Sequence, residues 1–149
     1  MAAAAPPEPV FRFSVRSRVE IADTDLGAVV YYGRYPHHVD RGVVAYRRRL
    51  GIPPLGPEGH LFVVRSMHID YHSSARFDDE LDILVRTADI GRTSHTAHVR
   101  IDRLGAGAAR EHVAEARLVI VGLGAYGGRP SRIPDDMRRA IETFEGTGS

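Results

Sequence analysis

The sequence predicts an α+β domain in which an antiparallel sheet encloses one long helix. Apolar residues recur three and four positions apart between residues 35 and 50, which is typical of an amphipathic helix. Most of the remaining chain alternates between apolar and polar residues, with turns of hairpin length between the segments. A lone helix among strands must bury its apolar face against a sheet, so we expect the sheet to wrap around it.

The first predicted element is a half-buried strand over residues 11–21, where apolar and polar side chains alternate. The preceding residues, 1–10, are rich in alanine and proline, and we expect a disordered tail rather than a secretory signal. A turn containing two carboxylates, Asp23 and Asp25, follows the strand and leads into the helix. Aspartates are common helix caps, so spacing alone favours a capping role for this pair.

The long helix has start and stop signals at its ends. Pro36 suits a first-turn position, so the helix begins there or, with a kink, at Tyr32. Gly51 is a natural C-terminal cap, and arginines at 47–49 complement the helix dipole. The predicted buried stripe consists of Tyr35, Val39, Val43, Tyr46 and Leu50.

Four further strands are predicted within residues 61–72, 81–86, 97–102 and 114–120, followed by a short helix that opens at Pro134. We therefore expect residues 11–145 to form a single domain. Five strands and one helix leave sheet edges uncovered, so we expect the chain to pair with a second copy of itself.

Composition excludes several function classes. The 149 residues contain no cysteine, which removes disulfides, cysteine catalysis and thiolate metal sites. They also contain no lysine, which removes Schiff-base chemistry. A net charge of +1 gives no bulk attraction to nucleic acid, and no apolar run reaches the roughly 20 residues of a membrane span. We therefore expect a cytoplasmic protein with no nucleic-acid partner and no membrane insertion.

The segment DTDLGAVVYYGRY, residues 23–35, resembles the D-x-D-x-x-G-x-V-x-x-x-x-Y signature of hotdog-fold acyl-CoA thioesterases. The similarity continues through residues 67–83 and through IGRTS at residues 90–94. Its nearest branches are the 4-hydroxybenzoyl-CoA thioesterases and the bacterial Tol–Pal-cluster thioesterases. The resemblance implies a curved antiparallel sheet of about five strands around one long helix, a short C-terminal helix, and hydrolysis of an acyl-CoA without a cofactor. It also implies a homodimer or homotetramer with active sites at subunit interfaces.

Carried over by position, the resemblance implies a catalytic role for Asp25, as nucleophile or general base. It implies that the backbone N–H of Tyr32, near the helix start, polarises the thioester carbonyl. The chain departs from the signature at Ala28, where relatives often have glycine and where this sequence has Gly27 one residue earlier. Some relatives have histidine in place of Tyr32. We expect a structural role for Asp23.

The resemblance also suggests a substrate-binding set: Gly27, Tyr31, Arg76, Arg92, Thr93 and Ser94. Exposed arginines at strand ends are often simply solvated, so the sequence does not decide whether the arginines of this set bind phosphate or face solvent. Histidines occur at alternate positions of two strands, yet they form no recognised ligand motif, and we expect no metal. A non-hydrolytic acyl-CoA-binding module and a thioesterase acting on acyl carrier protein are the alternative functions. The acyl group is not specified by the sequence.

Overall fold

A computed structural model describes residues 3–124 and 128–147 of the chain. Its strands are β1 (Phe13–Arg18), β2 (Leu61–Tyr71), β3 (Glu80–Ile90), β4 (Ser94–Leu104) and β5 (Arg110–Leu123), and its helices are α1 (Tyr35–Arg49) and α2 (Asp135–Glu145). All paired strands are antiparallel, and the sheet order is β1-β3-β4-β5-β2. The predicted fold is confirmed: one curved five-stranded sheet packs around α1.

The helix α1 buries the predicted stripe against the concave face of the sheet. Val39 is 0% exposed, and Ile83 and Val99 of the sheet are equally buried. The closest approach is at Gly42, where a Cβ atom would lie 2.5 Å from the Ile83 side chain. A glycine is therefore required at the point where helix and sheet touch.

Both ends of α1 follow from the local sequence. A 3₁₀ turn, Tyr32–Arg34, runs directly into the helix at Tyr35, so the two predicted starting points are successive parts of one helical segment. At the other end, Gly51 has φ +75° and its N–H donates to the Arg48 carbonyl. Ile52 N–H donates to the Arg47 carbonyl, which completes a Schellman motif.

The first strand is shorter than predicted. It ends at Arg18, and Ile21 lies in a separate 3₁₀ turn where its side chain is 73% exposed. Phe11 precedes the strand and packs against the ring of His98, with centroids 5.0 Å apart. Residues 3–10 have no regular secondary structure and are exposed, while residues 1 and 2 lie outside the described part of the chain.

The helix α2 closes the C-terminal end of α1 with a small apolar cluster of Ile52, Ile133, Met137 and Ile141. Its last residue, Glu145, accepts hydrogen bonds from Tyr46 Oη at 2.6 Å and from the Thr87 N–H at 2.9 Å. The pairing register of β3 shifts next to Thr87, which releases that N–H from the ladder. Among the described residues, no helix has the length and apolarity that crossing a bilayer requires.

Candidate active site

Residues 23–31 form a tight hairpin, hereafter the acidic hairpin, that delivers the chain to the start of α1. The Tyr31 N–H donates to the Asp23 carbonyl and the Asp25 N–H donates to the Val29 carbonyl, both at 2.9 Å. Ala28 occupies the tip with φ +61°, a left-handed conformation that favours glycine. Ala28 occupies the glycine position of the signature, so an alanine here adopts the backbone conformation that suits glycine. The glycine of this chain, Gly27, lies one residue earlier.

The Asp25 carboxylate is exposed beside this tip. Its Oδ1 accepts the Gly27 N–H at 2.8 Å, and among residues 3–124 and 128–147 that is its single hydrogen-bond donor. A Cβ atom at position 27 would lie 3.1 Å from Oδ1, so the glycine lets backbone approach the carboxylate. In the described part of the chain, no side chain caps the Tyr32–Arg34 turn or α1, so Asp25 makes a local turn bond instead of a helix cap.

The helix start lies directly after the hairpin. Tyr32 and Gly33 occupy the first positions of the helical segment, where backbone N–H groups have no intrahelical acceptor. The dipoles of the 3₁₀ turn and α1 add a partial positive charge at the same place. These donors can stabilise negative charge that develops on a carbonyl oxygen close to Asp25.

Asp23, in contrast, is 2% exposed and lies inside a hydrogen-bonded chain. Its carboxylate accepts the Glu20 N–H at 2.8 Å, His38 Nε2–H at 3.1 Å and Arg34 Nε–H at 3.3 Å. Burial acts to raise the pKa of Asp23, but these donors outweigh it and hold the pKa below its ordinary value. These bonds tie the base of the hairpin to α1.

His38, which the sequence pattern does not single out, connects Asp23 to the first strand. Its Nδ1 lies 2.9 Å from Ser17 Oγ, and Ser17 Oγ accepts a hydrogen bond from Arg41 at 3.1 Å. Burial lowers the pKa of His38, partly offset by Asp23, so the ring is neutral at pH 7. The carboxylate then requires Nε2 to carry the proton, and the Ser17 hydroxyl donates to Nδ1.

This serine, histidine and aspartate do not form a nucleophilic triad that a substrate can reach. Ser17 is 4% exposed and His38 is 1% exposed. The Ser17 hydroxyl is also engaged on both sides, since it donates to His38 and accepts from Arg41. The chain of bonds is therefore a buried support for the acidic hairpin.

An exposed aromatic patch lies where the acidic hairpin joins the helical segment. Tyr31 and Tyr32 have ring centroids 4.6 Å apart and are 46% and 64% exposed. Tyr71, at the end of β2, donates from its hydroxyl to the Tyr32 carbonyl at 3.1 Å. The neighbouring Leu26 at the hairpin tip is also fully exposed. Exposed apolar side chains gathered at the hairpin and the helix start are typical of a surface that a ligand or a partner covers.

The structure separates the predicted phosphate-binding residues into two groups. Arg76 forms a backbone bridge with Val29 of the acidic hairpin, so it lies at the Asp25 end of the sheet. Residues 92–94 connect β3 to β4 at the other end, because β3 runs the length of the sheet from Glu80 to Ile90. Within one protomer, therefore, Arg92, Thr93 and Ser94 do not join Asp25.

A small cavity of about 80 Å³ lies between α1 and the sheet, behind β2. Burial raises the pKa of Asp40 and lowers that of Arg47 to about 10 at this cavity. Its lining is otherwise apolar and includes Val43, Val44, Phe62, Val63, Val64, Leu118 and Ile120.

The histidines that the sequence places on alternate strand positions are dispersed. His95 is buried at the far end of the sheet, where burial lowers its pKa to about 4, and His98 bonds to Glu115. His68 pairs with Asp70 at 3.1 Å on the exposed strand β2. His72 instead approaches His112 and Glu115, two residues of β5 that strand periodicity did not link to it.

Comparisons with known proteins agree with this architecture. A family model, described as the thioesterase superfamily, matches residues 27–110, which is more than half of the chain. The acyl-CoA thioesterase YbgC of Haemophilus influenzae is 36% identical over 81 residues, covering 52% of this chain. That alignment spans 60% of the relative, so the chain matches less than two thirds of its length.

Two solved structures extend the similarity over nearly the whole fold. A thioesterase from Thermus thermophilus, complexed with coenzyme A and Zn, has a TM-score of 0.79 and 29% identity, with 93% of this chain and 98% of that chain covered. The 4-hydroxybenzoyl CoA thioesterase from Pseudomonas sp. strain CBS-3 has a TM-score of 0.78 at 21% identity, covering 88% and 99%. At 21% identity, the similarity to the 4-hydroxybenzoyl CoA thioesterase supports the fold alone. From the family model and the shared architecture, this chain belongs to the thioesterase superfamily.

Proposed function

We propose that the protein hydrolyses an acyl-CoA thioester to a free acid and CoA, with Asp25 as the reacting carboxylate. The single observation that carries this proposal is the exposed, lightly bonded Asp25 on the hairpin that leads into the uncapped start of α1. The family supports it, because relatives with related sequences are named acyl-CoA thioesterases. A CoA ester as substrate also favours action in the cytoplasm.

The proposed chemistry divides into two tasks. The N–H groups at Tyr32 and Gly33 stabilise the oxyanion as the thioester carbonyl is attacked. Asp25 attacks the carbonyl to form a mixed anhydride, or it removes a proton from the attacking water. In both routes Gly27 orients the carboxylate through its N–H, and Tyr31 borders the site because its ring covers Gly33.

The test is the substitution Asp25→Asn, which keeps the shape and removes the charge. We expect thiol release from aromatic, medium-chain and branched acyl-CoAs to fall by roughly 10²–10⁴-fold. Asp136→Asn is the matched control, because Asp136 is exposed on α2 and its side chain pairs with Arg139. Unchanged turnover in Asp25→Asn would remove Asp25 from the mechanism. Binding of CoA esters by the parent protein without any thiol release would favour a non-hydrolytic acyl-CoA-binding module. Faster hydrolysis of the same acyl group on an acyl carrier protein would favour a carrier-protein thioesterase.

We also propose that a second copy completes the site through β2. This strand lies at one edge of the sheet, and Val63, Val64, Arg65 and Ser66 along it are exposed. An edge strand with unpaired backbone groups is ready to pair with another strand. If two copies of β2 pair antiparallel about a two-fold axis, the Ile90 end of one protomer meets the Asp25 end of the other. That arrangement brings Arg92, Thr93 and Ser94 to CoA held at the partner's Asp25.

Size-exclusion chromatography with light scattering tests this assembly. We expect about twice the 16.4 kDa of one chain, or four times if dimers pair into the tetramer that the resemblance implies. Val64→Glu places a charge on the exposed edge and is expected to give monomers with little activity. Val10→Glu, in the exposed N-terminal segment, is the control. A fully active monomer would contradict the shared site while leaving the role of Asp25 open.

A further inference from the structure

We propose that His72, His112 and Glu115 bind a divalent transition-metal ion, with zinc the best match to their chemistry. This set, hereafter the outer-face cluster, lies where the end of β2 meets the start of β5. The His72 N–H donates to the Val113 carbonyl at 2.8 Å, which holds the two segments side by side. One ligand atom from each of the three side chains lies within 4.8 Å of the other two.

The cluster is on the face of the sheet opposite α1. Along β5, Ala114 and Ala116 face the buried core, and Glu115 between them faces outward. The rings of His72 and His112 have centroids 4.3 Å apart. The proposed site is therefore separate from the one that Asp25 forms.

His112 is oriented for metal binding by a buried carboxylate. Its Nδ1 lies 3.3 Å from Asp102 Oδ1, and Asp102 is 4% exposed. Donation from Nδ1 to Asp102 leaves Nε2 with its lone pair, 3.7 Å from Glu115 Oε2. A carboxylate behind a histidine is the usual outer-shell arrangement of protein zinc sites, because it fixes the tautomer and the ring.

Glu115 is held with one oxygen free to bind a cation. Its Oε1 accepts a hydrogen bond from His98 Nε2, so Oε2 faces His112. This arrangement directs the unbonded oxygen of Glu115 toward the other ligand atoms of the cluster.

Two of the nearby arginines are paired, whereas the exposed Arg117, two residues further along β5, makes no hydrogen bond or ion pair among the described residues. Arg100 lies opposite Glu115 in the ladder, but its Nε donates to Asp102 at 3.0 Å. Arg110 is held between Asp82 and Asp102. On the other side of Glu115, Asp70 of β2 adds a further negative charge. Arg100 and Arg110 therefore direct their hydrogen bonds to Asp102 and Asp82 and not to Glu115.

The ligand types select the metal. Two imidazoles and one carboxylate suit zinc and its neighbours in the first transition row, whereas magnesium and calcium prefer oxygen ligands alone. Zinc at about 2.0–2.1 Å from each ligand in tetrahedral geometry requires ligand atoms about 3.4 Å apart, so the set must close by up to about 1.4 Å. Rotation of the exposed His72 side chain can supply that movement. Solvent would complete the coordination.

Bound metal would brace the segment behind the candidate active site. His72 directly follows Tyr71, whose hydroxyl bonds the Tyr32 carbonyl, and Ala75 donates its N–H to Tyr35 Oη at 3.2 Å. A ligand that binds only the folded state raises the unfolding temperature as its concentration rises. The expected effect of zinc is therefore a stability increase that does not depend on substrate.

The experiment uses the full chain, free of any affinity tag and treated with a chelator before dialysis. Isothermal titration calorimetry with zinc chloride should show one saturable site per chain, and cobalt(II) should give a visible spectrum of nitrogen and oxygen coordination. Zinc should raise the unfolding temperature, and magnesium should not. His72→Ala should weaken zinc binding by at least 10- to 100-fold, since outer-shell changes alone have effects of about that size.

His68→Ala is the matched control, because His68 is exposed on the neighbouring strand β2, beside Asp70. It should bind zinc as the parent does, and both variants should unfold at the parent temperature without metal. Glu115→Gln provides a second ligand change that keeps the side-chain volume. Absence of saturable zinc binding, or equal binding by His72→Ala and the parent, would overturn the proposal.

Discussion

Asp23 and Asp25 are two residues apart on one hairpin, yet their carboxylates lie in opposite environments. Asp23 is 2% exposed and accepts hydrogen bonds from Glu20, Arg34 and His38. Asp25 is exposed and, among the residues that the structure describes, accepts one hydrogen bond, from Gly27. A buried carboxylate remains charged only when several donors satisfy it. The hairpin thus fixes its base with one aspartate and presents the other to a ligand.

We expect the substitution Asp23→Ala to destabilise the folded protein far more than Asp25→Ala does. Removal of the Asp23 carboxylate leaves the Glu20 N–H and the His38 ring without an acceptor, and we expect a loss of about 3 kcal/mol in unfolding free energy. Asp25→Ala should lose less than about 1 kcal/mol, because water can replace its single bond. Urea denaturation of both variants measures this. Equal losses would mean that Asp25 also supports the fold.

The next effect is a dependence of stability on pH that comes from His38. Burial holds the pKa of folded His38 below 6.5, while the unfolded chain titrates near 6.5. Below about pH 6.5 the unfolded state therefore binds a proton that the folded state does not. The free energy of unfolding consequently decreases as the pH is lowered. The slope for one histidine is at most about 1.4 kcal/mol per pH unit. The depressed pKa of Asp23 adds a further loss below about pH 4.

Urea midpoints of the parent and of His38→Gln between about pH 7.5 and 5 isolate this contribution. His60, His95 and His98 also have pKa values lowered mainly by burial, so the parent alone cannot assign the effect. We expect a shallower pH dependence in His38→Gln. Parallel curves would show that the pKa of His38 is the same in the folded and unfolded states, and that burial does not lower it.

Ser17→Ala tests the far end of the same chain of bonds. The substitution leaves His38 Nδ1 buried without a donor and removes an acceptor from Arg41, so we expect a loss of about 1–2 kcal/mol. Ser14→Ala is the matched control, because Ser14 lies on the same strand and is exposed. Turnover of folded Ser17→Ala should stay close to that of the parent. A loss of turnover as severe as that of Asp25→Asn would mean that Ser17 takes part in the reaction.

The sequence predicts the elements well because their signals are local. The stripe from Tyr35 to Tyr46 and the alternation in the strands depend only on neighbouring residues, and the structure confirms them. The burial of His38 was missed, although it lies three residues after Tyr35 and four before Gly42, on the flank of the stripe. A polar residue there indicates burial only when its partners are known, and Ser17 and Asp23 come from other elements.

The positions of the site residues relative to one another depend on contacts between distant parts of the chain. The spacing of residues in the sequence does not predict those contacts. Arg76 and residues 92–94 were grouped by their likeness to one family's CoA-binding region, yet the length of β3 puts them at opposite ends of a protomer. His112 joins His72 only through the pairing of β2 with β5. Strand order and register determine these proximities, and neither follows from periodicity alone.

Ala28→Gly addresses the tip of the acidic hairpin and has the smallest expected effect. Ala28 has φ +61°, which an L-residue adopts at a cost of about 1–2 kcal/mol and glycine adopts freely. Part of the gain is offset because glycine raises the entropy of the unfolded chain, so we expect a net stabilisation of about 0.5 kcal/mol. Ala106→Gly is the control: it lies in an exposed turn where φ is not positive, and it should lose stability. Turnover of Ala28→Gly should match the parent, because the glycine keeps the hairpin geometry that aims Asp25. A gain in stability with a fall in turnover would contradict this expectation. It would show that a rigid tip is needed to hold Asp25 in its reactive position, in addition to the hydrogen bonds of Asp23 at the base of the hairpin.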